Sequence, residues 1–186
     1  LFELVAFGVL GVSIILSGLV ILKFKELNGY LKYYGIWILI GTFIELSSHV
    51  LVNFHIPNLF LFHLNALFEF VLLVFFFNVL FTDIGDKGVK FILWPGVVAI
   101  CFNSIFVQQP DTFNSYSMTL ISLGTIVLGV YYFIRLSDIE MSLDKKLLRM
   151  FMVGSVLITH SSNMIPVLFG NYLLTVDTNT QMIVWI

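Results

Sequence analysis

The chain has 186 residues, of which 59% are apolar and 11% are charged, and its mean hydropathy is +1.02. A soluble domain carries about 25% charged residues, so this composition excludes a water-soluble globule. A net charge of −2, with no run of more than two basic residues, excludes disorder and nucleic-acid binding. The single cysteine excludes a disulfide framework. A polytopic membrane protein is the class that fits.

Several apolar stretches of the chain are about as long as a membrane-spanning helix. A spanning helix needs about 20 mostly apolar residues, because the hydrocarbon layer is roughly 30 Å thick. The sequence therefore predicts an all-α, polytopic transmembrane helical bundle with six complete spans and the start of a seventh, forming one domain over residues 1–186. The predicted spans are Leu4–Leu22, Tyr33–Leu51, Leu59–Phe81, Phe91–Val107, Tyr116–Ile134 and Met150–Phe169, and a seventh begins near Gln181 and is cut off at Ile186. We expect a natural chain to continue beyond that point.

The basic residues predict the orientation of these spans. All nine lysines and arginines lie in the first, third and fifth loops or at their edges, and the alternate loops contain none. In membrane proteins the cytoplasmic loops contain more Lys and Arg than the loops on the opposite side. We therefore expect an extracytoplasmic N-terminus and a multi-pass protein of the bacterial inner (plasma) membrane.

Polar side chains concentrate in the outer half of the predicted bilayer. A polar group inside a span is costly and usually faces the bundle interior or a cavity, so this pattern predicts a small-molecule pocket near the extracytoplasmic side. Two acid-containing pairs have i, i+4 spacing, Glu45 with His49 and Asn65 with Glu69, and each pair shares one helix face. The predicted ligand-binding residues are Glu45, His49, His63, Asn65, Glu69, Asn103, His160 and Asn163. The alternative interpretation is that these groups only form hydrogen bonds between helices.

The histidines also raise the question of a metal or a cofactor. His49 and His63 are predicted at one depth on neighbouring helices, as the two axial ligands of a noncovalent haem b would be. His49, His160 and Glu45 could hold a hydrolytic zinc ion, although no pair of ligands has metalloenzyme spacing. Glu69 could serve as the counter-ion of a retinal Schiff base, whose lysine would lie on the seventh helix.

An internal similarity suggests a transporter as a further alternative. Residues 56–60 (IPNLF) follow the second span, and residues 165–169 (IPVLF) end the sixth, with identity at four of five positions. Parallel repeats of this kind occur in some transporters.

About half of the chain resembles a family of small, uncharacterised seven-helix bacterial integral membrane proteins of the sensory-module type. The similar pieces are Glu45, residues 58–63 (NLFLFH), 68–70 (FEF), 103–104 (NS), 109–110 (QP) and 112–117 (TFNSYS). The resemblance implies a seven-helix fold and a role in signalling, and it implies no reaction.

Together these features predict a non-enzymatic, receptor-like or sensory module that binds a small ligand within the membrane. An accessory or structural subunit of a larger membrane complex is the alternative, and an intramembrane enzyme, a haem protein or a small-solute transporter is the third. The expected partners are the lipid bilayer and other membrane subunits, with no nucleic acid.

Overall fold

The computed structural model describes residues 2–86, 89–169 and 172, and all regular structure in these residues is helical. The all-α prediction is therefore confirmed for the described chain. A 3-10 turn at Val89–Ile92 precedes the fourth helix, and a π-helical turn at Asn103–Val107 extends it. The helices are α1 (Phe2–Lys23), α2 (Tyr30–Asn53), α3 (Phe60–Asp83), α4 (Leu93–Phe102), α5 (Ser115–Ser137) and α6 (Leu143–Leu168). The predicted seventh span lies outside the described residues.

Four of these helices, α2, α3, α5 and α6, are long and apolar enough to cross a membrane. Two further apolar stretches are shorter, Gly8–Lys23 and Leu93–Val107. The 10 residues of α4 and the 5 of the π turn rise only about 22 Å together. The described chain thus contains four membrane-capable helices, where the sequence predicted six complete spans.

Helix α6 begins at Leu143, seven residues before the predicted start at Met150. The prediction followed hydropathy and left out the first two turns, which carry charged residues. Those turns are nevertheless helical, and Asp144 in the first turn interacts favourably with the positive end of the helix dipole. The helix therefore extends beyond its apolar part.

Successive helices run antiparallel, and contacts at both ends of the bundle establish this topology. At one end, which we name the Arg149 end, Arg149 Nη2 on α6 donates to Asp83 Oδ2 on α3 at 2.8 Å. Tyr131 on α5 donates to Asp86 Oδ2 at 2.9 Å at the same end. At the opposite end, the His63 end, His63 Nε2 lies 3.0 Å from the carbonyl oxygen of Thr112.

Helix α3 lies at the centre of the bundle. It packs against α2, α4 and α5, while α6 packs on α5 and α1 packs on α2. Phe76, Phe77, Leu80 and Phe81 on α3 are at most 2% exposed and form the core with Tyr132 and neighbouring residues. Because lipid tails are as apolar as these side chains, close packing and ring contacts hold the core together.

Helices α5 and α6 approach each other closely at Gly129. A Cβ atom added there would lie 2.6 Å from Leu157 Cδ2 and 2.8 Å from Leu157 Cγ. Such distances are well inside van der Waals contact. The absence of a side chain at Gly129 is therefore what lets α6 pack onto α5.

We predict that Gly129→Ala destabilises the protein by about 1–3 kcal/mol, because the added methyl forces Leu157 to shift. Thermal unfolding of the detergent-purified protein measures this. Gly124→Ala on the same helix is the matched control, since its Cβ would meet no atom within 4 Å. Equal stability of the two variants would contradict the predicted packing.

Candidate functional site

Two of the predicted site residues, Glu69 and His160, meet in the core of the bundle. Glu69 on α3 is 8% exposed and His160 on α6 is 5% exposed. His160 Nε2 lies 3.9 Å from Glu69 Oε1, which is longer than a hydrogen bond. The Nε2 atom makes no hydrogen bond within the described chain. The imidazole Nε2 of His160 therefore keeps capacity for a further partner.

Aromatic and hydroxyl groups from two other helices complete this site. The ring of Trp37 on α2 stacks on the imidazole of His160, with the ring centroids 5.9 Å apart and the planes 12° apart. Ser122 Oγ on α5 lies 3.5 Å from His160 Nδ1. We name Trp37, Glu69, Ser122 and His160 the Glu69–His160 site, to which four helices contribute one residue each.

The buried faces of α3 and α6 explain why these two polar residues point inward. Glu69 follows Ala66 by three residues, and His160 follows Val156 by four, so each lies on the same face as a fully buried apolar residue. The apolar faces pack within the bundle and place the carboxyl and the imidazole between the helices. Burial of these groups is thus a consequence of helical spacing combined with packing.

Four of the predicted site residues do not join this site. Glu45 and Asn65 are half-buried, and His49 and Asn163 are exposed. Within residues 2–86, 89–169 and 172, none of them makes a side-chain hydrogen bond or an ion pair. The expected contact between Glu45 and His49 is not formed, although the two share a face of α2. The contacts of α2 with the core are made instead by Tyr33 and Trp37.

His63 lies in a separate place, at the loop between the π turn and α5. The side chain is 7% exposed, and its Nε2 donates to the carbonyl oxygen of Thr112 at 3.0 Å. Nδ1 is buried and has no partner among the described residues. His63 therefore anchors this loop to α3, and it is not in contact with the Glu69–His160 site.

Asn103 belongs to a third group, a network of neutral polar side chains at the π turn. Its Nδ2 donates to Asn114 Oδ1 at 2.8 Å and to Ser117 Oγ at 2.9 Å, and it lies 3.2 Å from Gln108 Oε1. Gln108 Nε2 in turn donates to Ser115 Oγ at 2.8 Å. We name these five residues the Asn103 network. The predicted spans left Gln108 in the loop between the fourth and fifth spans, and the structure shows that it is only 6% exposed.

A sequence signal for this network does exist. Residues 108–117 (QQPDTFNSYS) combine amides and hydroxyls with the aromatic Phe113, which is 2% exposed. Burial of the Phe113 ring also places the neighbouring polar side chains inside the bundle. A loop that contains an aromatic residue among amides and hydroxyls can therefore be predicted to pack against the helices.

The predicted metal and haem ligands are not assembled. His49 is exposed on α2, His63 bonds to a backbone carbonyl and His160 contacts Glu69. In the described part of the chain, no group of three or more His, Cys, Asp or Glu side chains could hold a metal ion. The zinc set of Glu45, His49 and His160 does not come together.

Comparisons with protein-family models, curated proteins and solved structures found no match to this chain. The class of protein therefore follows from the chain's own features. An all-helical described chain with four membrane-capable helices is typical of an integral membrane protein.

We predict that His160→Leu shifts the tryptophan emission of the purified protein to shorter wavelength, because an aliphatic side chain replaces the polar imidazole that stacks on Trp37. The steady-state emission in detergent measures the change. His49→Leu serves as the control, since His49 is exposed. Identical spectra for the wild type and His160→Leu would show that the two rings do not stack.

Proposed function

We propose that this protein is a multi-pass inner-membrane protein with a receptor-like or sensory function, which binds a small ligand at the Glu69–His160 site. In this proposal α1, α4 and a seventh helix complete the spans, and the N-terminus is extracytoplasmic. The proposed resemblance to seven-helix sensory modules is in keeping with this arrangement. The observation that carries the proposal is the approach of two ionisable side chains from separate helices in the core.

The distribution of positive charge supports the orientation. In the part of the chain that the structure describes, the antiparallel helices bring the basic residues, which lie at helix ends or in loops, to the Arg149 end. Basic residues mark the cytoplasmic side, so the Arg149 end faces the cytoplasm in this proposal and the His63 end faces outward.

Cysteine accessibility tests this orientation in a Cys101→Ser background. We predict that His55→Cys reacts with a membrane-impermeant maleimide in intact spheroplasts, because residue 55 lies in an outer loop. Asp138→Cys should react only after permeabilisation, and it is the matched control. Labelling of Asp138→Cys alone in intact spheroplasts would reverse the proposed orientation.

The burial of Glu69 and His160 supports a binding function, because burying ionisable groups costs free energy. Acidic and basic side chains inside a membrane are expensive and usually belong to a functional site. Within the described residues the imidazole Nε2 is left without a hydrogen bond, and the Trp37 indole provides a flat aromatic wall against the other face of the site. A small molecule that carries hydrogen-bonding groups and a flat apolar surface matches this combination.

Contacts between α3 and α6 could transmit a structural change from the Glu69–His160 site to the Arg149 end. The same two helices are joined by Glu69 and His160 in the core and by Asp83 and Arg149 at the Arg149 end. A ligand that changes the separation of Glu69 and His160 would shift α6 relative to α3. Ligand binding produces a signal if the ligand has different affinities for the two arrangements of these helices.

An accessory subunit of a larger complex is the second candidate, and a surface groove on α6 favours it. Leu147, Phe151 and Ile158 are each more than half exposed along one face of α6. With Met150, Gly154 and Ser155 they line a shallow groove of about 390 Å³. A helix of a partner subunit could pack against this face.

Thermal shift with a low-molecular-weight cell extract tests the binding function. We predict that the extract raises the unfolding temperature of the wild type, because a ligand that binds only the folded state stabilises it. Glu69→Gln and His160→Gln should lose at least ten-fold in apparent affinity. The control His49→Gln should respond as the wild type does. An equal response in all four proteins would locate binding elsewhere and contradict the proposal.

A further inference from the structure

Four buried side-chain atoms in one half of the bundle have no hydrogen-bond partner among the described residues. They are His63 Nδ1 on α3, Asn114 Nδ2 at the start of α5, Thr119 Oγ1 on α5 and His160 Nε2 on α6. Buried polar atoms in proteins are nearly always paired, either with other protein groups or with ordered water. The concentration of these four atoms between the His63 end and the Glu69–His160 site indicates that they share water as a partner.

Contacts at two depths place α3 and α5 in register, since these two helices run parallel. At the His63 end, His63 Nε2 lies 3.0 Å from the carbonyl oxygen of Thr112, which is exposed and lies just before α5. Deeper in the bundle, Ser122 on α5 and Glu69 on α3 approach His160 at 3.5 Å and 3.9 Å. The two levels are six residues apart on α3, or about 9 Å. Both helices therefore border the same short segment of the interior.

Thr119 and Ala66 lie between these two levels. Thr119 precedes Ser122 by three residues, so the two share the side of α5 that meets α6. The Thr119 hydroxyl is buried and unpaired in the part of the chain that the structure describes. On α3, Ala66 is three residues from both His63 and Glu69, and its side chain is only a methyl group. Polar groups thus occur at intervals along this segment, with a small residue on the opposite wall.

The chemistry of the unpaired atoms favours water over a larger ligand. His63 Nε2 donates to a carbonyl, so Nδ1 of the neutral ring is an acceptor. Asn114 Nδ2 is a donor, and the Thr119 hydroxyl can donate and accept. These groups come from different helices, and each offers a single atom. A water molecule both donates and accepts, so a short file of water can pair with each atom in turn.

The segment is closed on the side that faces the Arg149 end. Phe77 and Leu80 on α3 and Val156 on α6 are all 0% exposed, and they belong to one apolar cluster beyond the Glu69–His160 site. Such packing offers no hydrogen bond to water. A file of water that reaches the site from the His63 end therefore stops there.

We propose that α3, α5 and α6 enclose a short file of water, which conducts protons between the His63 end and the Glu69–His160 site. Each water that receives a proton passes another to its neighbour. A proton thus enters from bulk water, binds the Glu69 carboxylate or the His160 imidazole, and leaves by the same route. The two ionisable groups exchange protons with one side of the membrane only. This proposal depends neither on the ligand proposed for the site nor on the orientation of the protein.

Solid-state NMR of the full chain in liposomes tests the water file, with ¹⁵N-labelled histidine as the probe. The chain has four histidines, so the ring signals can be assigned with one His→Gln variant for each. We expect the ring proton of His160 to exchange within minutes of transfer to D₂O, because the file brings water to the imidazole. A dry core would protect this proton for hours.

Two substitutions in the wall of the segment test the route. Thr119→Val keeps the shape of the side chain and removes the hydroxyl, so exchange at His160 should slow at least ten-fold while exchange at His63 is unchanged. Thr125→Val is the matched control, because Thr125 is also buried on α5 but lies on the side that faces α4. Ala66→Val narrows the segment from α3 and should also slow exchange, which provides a second test if Thr119→Val does not fold.

The closed end is tested by proton flux in proteoliposomes that contain a pH-sensitive dye. Under a potassium diffusion potential, the wild type should conduct no more protons than vesicles without protein. Flux above that level would mean that the path crosses the bundle, which contradicts the proposal. A His160 ring proton that stays protected for hours in the wild type would overturn it, as would wild-type exchange rates in the folded Thr119 and Ala66 variants.

Discussion

A polar side chain that is buried in hydrocarbon must find its partner within the protein, and α3 is the helix through which the described chain meets this constraint. Its polar residues connect to three other parts of the bundle. His63 bonds to the loop before α5, Glu69 approaches His160 on α6, and Asp83 pairs with Arg149 on α6. These contacts lie at three depths, and apolar packing fills the space between Glu69 and Asp83. The position of α3 relative to its neighbours is therefore fixed along its whole length.

The two contacts between α3 and α6 differ in length and in their surroundings. Asp83 and Arg149 are in hydrogen-bond contact at 2.8 Å, and the Arg149 guanidinium also lies over the ring of Tyr30 at 5.6 Å. Glu69 and His160 are 3.9 Å apart in the core. Fourteen residues, or about 21 Å of helix, separate Glu69 from Asp83. A hydrogen bond therefore joins the two helices at the Arg149 end, whereas their contact in the core leaves the imidazole Nε2 without a partner among the described residues.

The sequence predicted the helical class and the burial of Glu69 and His160, because hydropathy and the cost of polar groups in lipid are local properties. It did not predict which residues would meet. Helical spacing shows that Glu45 and His49 share a face, but it cannot tell which neighbour that face contacts. The predicted spans left Gln108 in the loop between them, because this segment lacks an apolar run. Its burial depends on the π turn, an irregular feature that hydropathy does not reveal.

A π turn at the end of α4 positions the Asn103 network. Gln108 N–H donates to the carbonyl oxygen of Asn103 at 2.7 Å, the i to i−5 bond of a π turn, and the chain leaves the helix there. The Asn103 side chain finds its partners at the start of the next helix, where Asn114, the N-cap of α5, and Ser117 in the first turn both accept from Nδ2. Gln108 Nε2 donates to Ser115 Oγ, so the loop between the two helices folds back onto the same helix end. The irregular turn and this hydrogen-bond network are thus one structural unit, because the turn places Asn103 and Gln108 within reach of the start of α5.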